Sequence, residues 1–176
     1  MSTAGGRAPH ELMNTLAPDE ARQALELCCG SARWVSGMLA RRPFSSADDL
    51  YSVADDVWRT LSRADFLEAF ACHPRIGDTT ASARGAQRSA TSAWSAEEQA
   101  RAVAGPPGAA ETLRALNDAY FARFGYIFII CATGKTAAEI VAALRARLAN
   151  DPGRELGVAA AEQARITRLR LEKLAR

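Results

Sequence analysis

Tyr126-Ile127-Phe128-Ile129-Ile130-Cys131 is the only run in this chain with the continuous, β-branched and aromatic character of a strand. A strand's backbone groups need a neighbour to bond, and no second run of this kind occurs in the 176 residues. The segment therefore reads as an extended, buried connector, and the rest of the chain must fold as helices.

The remaining sequence agrees, with apolar residues at helical spacing between side chains that cap. Asp19 and Glu20 after Pro18 open a helix through Leu25 and Leu27 to Cys29, with Gly30 as its stop. A second begins near Ser31, carries Trp34, Val35, Met38 and Leu39, and ends before Pro43. Leu50, Val53, Val57 and Leu61 follow a Ser45-Ser46 cap, and Ser62 starts a helix built on Phe66, Leu67 and Phe70. Residues 78–91 have little to bury and read as a long loop, after which Ser95 reopens helix until Gly105-Pro106-Pro107-Gly108. Leu113, Leu116, Tyr120 and Phe124 form the next stripe, closed by Gly125. Thr136-x-x-Glu139 is a capping box for a helix through Leu148, and a last helix runs from about Arg154. The expectation is an all-α, single-domain bundle of about eight helices over residues 1–176, with one short extended segment and a flexible stretch at 1–9.

Charge and cysteine usage narrow the function classes. With 22 basic and 20 acidic residues the chain advertises neither a nucleic acid nor an anionic membrane as partner. Basic residues crowding the last helix are spaced as its wet side. No cysteine pair has metal-ligand spacing, and His10 and His73 are far apart, so no metal site is expected. Met1 to Pro9 lacks the apolar core of a signal peptide, and Leu174-Ala175-Arg176 is no peroxisomal address, which points to a cytoplasmic protein.

Three groups could carry chemistry. His73 lies in Cys72-His73-Pro74-Arg75-Ile76-Gly77, where the proline stops the preceding helix and leaves the imidazole at its C-terminus. The partial negative charge of a helix end favours the protonated ring, which suits proton transfer; on position alone, a surface histidine that happens to end a helix is the commoner reading. Cys72 beside it reads as a small buried hydrophobe rather than a nucleophile. Ser95-Ala96-Glu97-Glu98-Gln99 has the spacing of a capping box, and the same helix start is also suited to binding an anionic oxygen. Arg170 lies on one helix face with Ile166 and Gln163, so it must snorkel, pair with an acid, or face a ligand. Arg147 is a similar, weaker candidate.

Taken together, the motifs resemble those of the 2-oxo-4-hydroxy-4-carboxy-5-ureidoimidazoline (OHCU) decarboxylases of urate breakdown. The most specific are His73-Pro74-Arg75-Ile76-Gly77, Ser95-x-x-Glu98-Gln99, Leu116-Asn117-x-x-Tyr120 with Phe124-Gly125-Tyr126-Ile127-Phe128, and Ile166-x-x-Leu169-Arg170-Leu171, in family order. Leu12-Met13-Asn14, Cys28-Cys29, Arg33-Trp34-Val35 and Arg42-Pro43-Phe44 extend the likeness toward the start. The chain departs from the pattern in its alanine- and serine-rich loop after Gly77 and in Tyr126, where phenylalanine is common.

The resemblance implies an all-α enzyme, usually a homodimer, that converts OHCU to (S)-allantoin without a cofactor. It places the catalytic groups on His73, Glu98 and Arg170. Substrate contacts fall on Pro74, on Ser95, Ala96, Glu97, Glu98 and Gln99, and on Phe128, Ile129, Ile130, Cys131 and Ala132. A hydroxyisourate hydrolase is the implied pathway partner. The competing class is a non-catalytic helical module that binds a purine-degradation intermediate or a partner enzyme.

Overall fold

Side chains at the helix starts set most element boundaries in the computed structural model, which describes residues 7–75 and 108–174. Among the described residues the helices are α1 (Pro9–Thr15), α2 (Pro18–Cys28), α3 (Ala32–Ala40), α4 (Ala47–Arg59), α5 (Arg63–Ala71), α6 (Ala109–Phe124), α7 (Ala137–Arg147) and α8 (Pro152–Lys173). Ser31 Oγ accepts from Trp34 N–H at 3.3 Å, and Ser46 Oγ from Asp49 N–H at 3.0 Å. Thr136 and Glu139 form the expected reciprocal box, with Glu139 Oε2 accepting from Thr136 N–H at 2.7 Å. Each contact serves an N–H that a helix start leaves without an intrahelical partner. At its other end α6 closes on Gly125, whose φ of 78° is a conformation a Cβ would oppose.

Among the described residues every regular element is a helix, and Tyr126 to Cys131 belongs to neither helix nor strand. The helix expected from Ser95 falls outside the described residues. In its place stands α1, which the sequence reading did not anticipate. Pro9 occupies its first turn, where a missing N–H costs nothing, and Glu11 Oε2 reaches back to Ala8 N–H at 3.2 Å.

Two compact units make up the described chain. The first comprises α1 to α4, α5 through Ala69, and α8 from Ala164 onward. In it α2 packs on α3, α3 on α4, and α1 on α4 around Met13, Leu25, Trp34, Met38 and Leu50, all fully buried. Trp34 Nε1 donates to Ala54 O at 3.1 Å, so the largest side chain of this core keeps its polar atom satisfied. At Gly37, α3 lies so near α4 that a Cβ would fall 2.6 Å from Val57 Cγ1. Asn14 ties α1 to the turn after α3, donating to Phe44 O and accepting from Phe44 N–H, both at 2.8 Å.

The second unit runs from Phe70 to Gln163 and contains α6, α7 and the first part of α8. There α6 packs on α7, and the core is aromatic: the Tyr120 ring centroid lies 4.6 Å from Phe124, 5.8 Å from Tyr126 and 5.2 Å from Phe128. Phe70, at the end of α5, meets Tyr126 at 5.5 Å.

Three capping carboxylates make this fold acid-sensitive. Asp49 is held below the ordinary carboxylate pKa first by the Ser45 backbone N–H, Asp65 first by the Ser62 hydroxyl, and Glu139 first by the Thr136 backbone N–H. The unfolded chain therefore takes up protons at higher pH than the folded chain, and stability falls as pH drops through the carboxylate range. The triple variant Asp49→Asn, Asp65→Asn, Glu139→Gln should lose less melting temperature than wild type between about pH 7 and about pH 3. Equal losses would show that the caps contribute nothing to the acid limb.

Candidate active site

Helix α5 stops at Ala71, and His73 N–H makes one more turn-like bond to Phe70 O at 3.1 Å before Pro74 diverts the chain. The His73 imidazole is half-buried, with Nε2 2.8 Å from Oε1 of Gln163 on α8. Pro74 is half-buried next to it in the chain. Arg75 turns to α6, where it pairs with Asp118 at 2.8 Å and lies over the Phe121 ring. Cys72 is exposed, which corrects the expectation of a buried hydrophobe. The inward positions at this end of α5 belong to Ala69 and Phe70, both fully buried, and Cys72 falls on the outward turn that follows.

Phe128, Ile129, Ile130 and Ala132 are buried and Cys131 is partly so, in keeping with a connector that runs through a core. What replaces the missing strand partner is a set of side chains. Arg147 Nη1 donates to Ile129 O at 2.7 Å, its guanidinium lies 4.4 Å over the Phe128 ring, and Glu162 Oε2 accepts from Cys131 N–H at 2.8 Å. Within this segment, where the resemblance places substrate contacts, the Ile129 carbonyl and the Cys131 N–H both have protein partners.

Arg147 is itself held. Its Nε donates to Glu155 Oε1 at 2.8 Å, while Nη2 lies 2.6 Å from the same oxygen, near enough for charge attraction but not aligned as a hydrogen bond. Glu155, fully buried, also accepts from the Tyr120 hydroxyl and from Asn150 Nδ2 at 2.7 Å. Burial above all, and then the bond to Glu155, push the Tyr120 phenol far above its ordinary pKa, so it stays a donor.

Arg170 belongs to the first unit. It is 2% exposed, so it does not snorkel, and its Nη1 donates to Leu27 O at 3.3 Å. Ile166 and Gln163 are buried too, as their shared face predicted. Burial drives the neighbouring Cys28 thiol strongly up in pKa, with the Arg170 charge pulling the other way, which leaves that thiol protonated and unreactive. Ser95, Ala96, Glu97, Glu98 and Gln99 lie outside the described residues.

Of the expected site residues, His73 and Cys131 are therefore brought to consecutive positions of one helix, through Gln163 and Glu162. Sequence reasoning missed these two holders and Glu155. Gln163 did leave a signal, a polar residue on the apolar stripe of α8, which must find a buried partner. A groove in the first unit, lined by Trp34, Tyr51, Asp55, Trp58, Thr167 and Arg168, contains none of the expected residues.

The OHCU decarboxylase family model matches residues 14–172. This chain belongs to the OHCU decarboxylase family. A uric acid degradation bifunctional protein of Arabidopsis thaliana is 39% identical over 150 residues, covering 85% of this chain but 45% of that protein. This family member thus spans less than half the length of that relative. An OHCU decarboxylase of Halalkalicoccus jeotgali is 31% identical over 137 residues, 77% of this chain and 73% of its own. The crystal structure of an OHCU decarboxylase in the presence of (S)-allantoin superposes with a TM-score of 0.73 at 35% identity, covering 86% of this chain and 96% of that one.

The buried pair makes a direct prediction. Glu155→Ala leaves the Arg147 charge in the interior without its carboxylate and should cost about 3–5 kcal/mol in urea unfolding. Replacing both, Arg147→Met with Glu155→Leu, should recover much of that loss. A single-variant cost below about 1 kcal/mol, the range of surface pairs, would show that the pair does not hold the unit together.

Proposed function

We propose that this chain decarboxylates OHCU to (S)-allantoin without a cofactor, with His73 as proton donor and Glu98 and Arg170 orienting and stabilising the substrate. When the carboxylate leaves, its bonding electrons form a double bond to the neighbouring ureido-bearing ring carbon as that carbon's C=N π electrons move onto nitrogen, so no external electron sink is required. The protein's work is to hold the carboxylate out of the ring plane, stabilise the enolate, and deliver a proton to one face. What carries this reading is the half-buried His73 imidazole, fixed by a side-chain partner at the end of α5 in a chain that the family model covers from 14 to 172.

Arg170 brings a buried guanidinium suited to the substrate's carboxylate or ureido oxygens. Pro74, Ser95, Ala96, Gln99 and the segment Phe128 to Ala132 would complete the contacts. The enzyme would work as a homodimer in the cytoplasm; among the described residues no helix is long and apolar enough to cross a membrane. OHCU decays spontaneously, and hydroxyisourate hydrolase would be the partner that supplies it; two relatives named as bifunctional uric acid degradation proteins support a partner within the same pathway.

The test is to generate OHCU in situ and follow circular dichroism for enzyme-dependent appearance of optically active allantoin. His73→Asn should slow turnover by roughly 10²- to 10⁴-fold with the fold intact, and near-normal rates would remove His73 as donor. Arg170→Lys keeps the charge but loses the planar fork, so KM should rise; an unchanged KM would free Arg170 from substrate binding.

A further inference from the structure

An imidazole that delivers a proton must present a chosen nitrogen, and one buried side chain makes that choice for His73. Gln163 is fully buried and its Oε1 lies 2.8 Å from His73 Nε2. An amide oxygen can only accept, so Nε2 carries a hydrogen whether the ring is neutral or cationic. Glu162, the preceding residue, anchors the same turn of α8 through Cys131 N–H at 2.8 Å, so the amide approaches the ring from a fixed base.

We propose that Gln163 is a positioning residue for the decarboxylation: it locks His73 in the Nε2–H tautomer and makes Nδ1 the nitrogen that transfers the reaction proton. This rests on the reading of His73 as donor. In the step, the bond from the hydroxyl-bearing ring carbon to the carboxylate breaks, and its electron pair forms the C=C bond of an enol as the C=N π pair of the ureido-bearing carbon moves onto nitrogen, which takes a proton from water. The ureido-bearing carbon then bonds the hydrogen of Nδ1 while the enol oxygen gives its own proton to water and becomes the ring carbonyl. The imidazolium becomes neutral imidazole with Nε2–H retained, and Nδ1 takes up a proton from water for the next turnover. Nothing is oxidised or reduced.

The chain has two histidines, so ¹⁵N-histidine labelling gives a readable spectrum, with His73→Asn assigning the second set of signals. At a pH where the ring is neutral, wild type should show His73 as the Nε2–H tautomer. Gln163→Met, which keeps the volume but removes the acceptor, should give a tautomer mixture at unchanged melting temperature. Its kcat should fall by about 10²-fold with KM nearly unchanged. Gln163→Glu restores an acceptor oxygen and should restore the tautomer and most of kcat. A wild-type spectrum showing Nδ1–H overturns the proposal, and needs no variant to fold. So does a Gln163→Met enzyme with wild-type tautomer and kcat. Because the spectrum is independent of turnover, a wild-type protein that shows the Nε2–H tautomer yet makes no allantoin would overturn the proposed function while upholding the contact.

Discussion

The second unit depends on a guanidinium and a carboxylate taken out of water together. Arg147 and Glu155 each lose hydration that their mutual attraction alone does not repay. Here most of the polar atoms are engaged: Glu155 gathers donors from Tyr120 on α6, Arg147 on α7 and Asn150 in the turn before α8, and Arg147 gives Nη1 to Ile129 O, with only Nη2 held by charge attraction alone. One carboxylate thus joins three stretches of chain, and the guanidinium fastens the extended segment to them. The aromatic stack of Tyr120, Phe124, Tyr126 and Phe128 supplies apolar burial; the ion pair determines which backbone atoms face which side chain.

Much of the fold was legible because helix boundaries are local physics. Ser31, Ser46 and Thr136 cap where their chemistry says they should, and Pro18, Gly125 and Pro152 punctuate where their backbones require. The last helix starts a little earlier than Arg154 because Pro152 fits its first turn. The seven residues of α1 escaped notice for the complementary reason. So short a helix carries almost no periodic signal, and it is held by distant contacts such as Asn14 with Phe44, 30 residues away.

In the candidate site the division is similar. Proline geometry marks His73 as ending a helix, and spacing marks Arg170 as inward-facing. Their holders are invisible to such arguments: Gln163 lies 90 residues from His73, Glu162 31 from Cys131, and Leu27 143 from Arg170. The extended segment shows both sides of this. Its lack of a strand partner was readable from composition, but that two side chains would take the partner's place required the fold. Cys72 misled because residue type favours burial, while the last turn of a helix has an outside as well as an inside.

Helix α8 acts as a ruler for the second unit. Glu155, Glu162 and Gln163 meet their partners at fixed positions along one rod, and each residue turns the rod by about 100°. Inserting or deleting one residue between Glu155 and Glu162 would keep the helix yet swing Gln163 away from His73 and Glu162 away from Cys131. Length variation should therefore be tolerated in the connections between helices and excluded from this seven-residue interval, where chain count itself is a functional quantity.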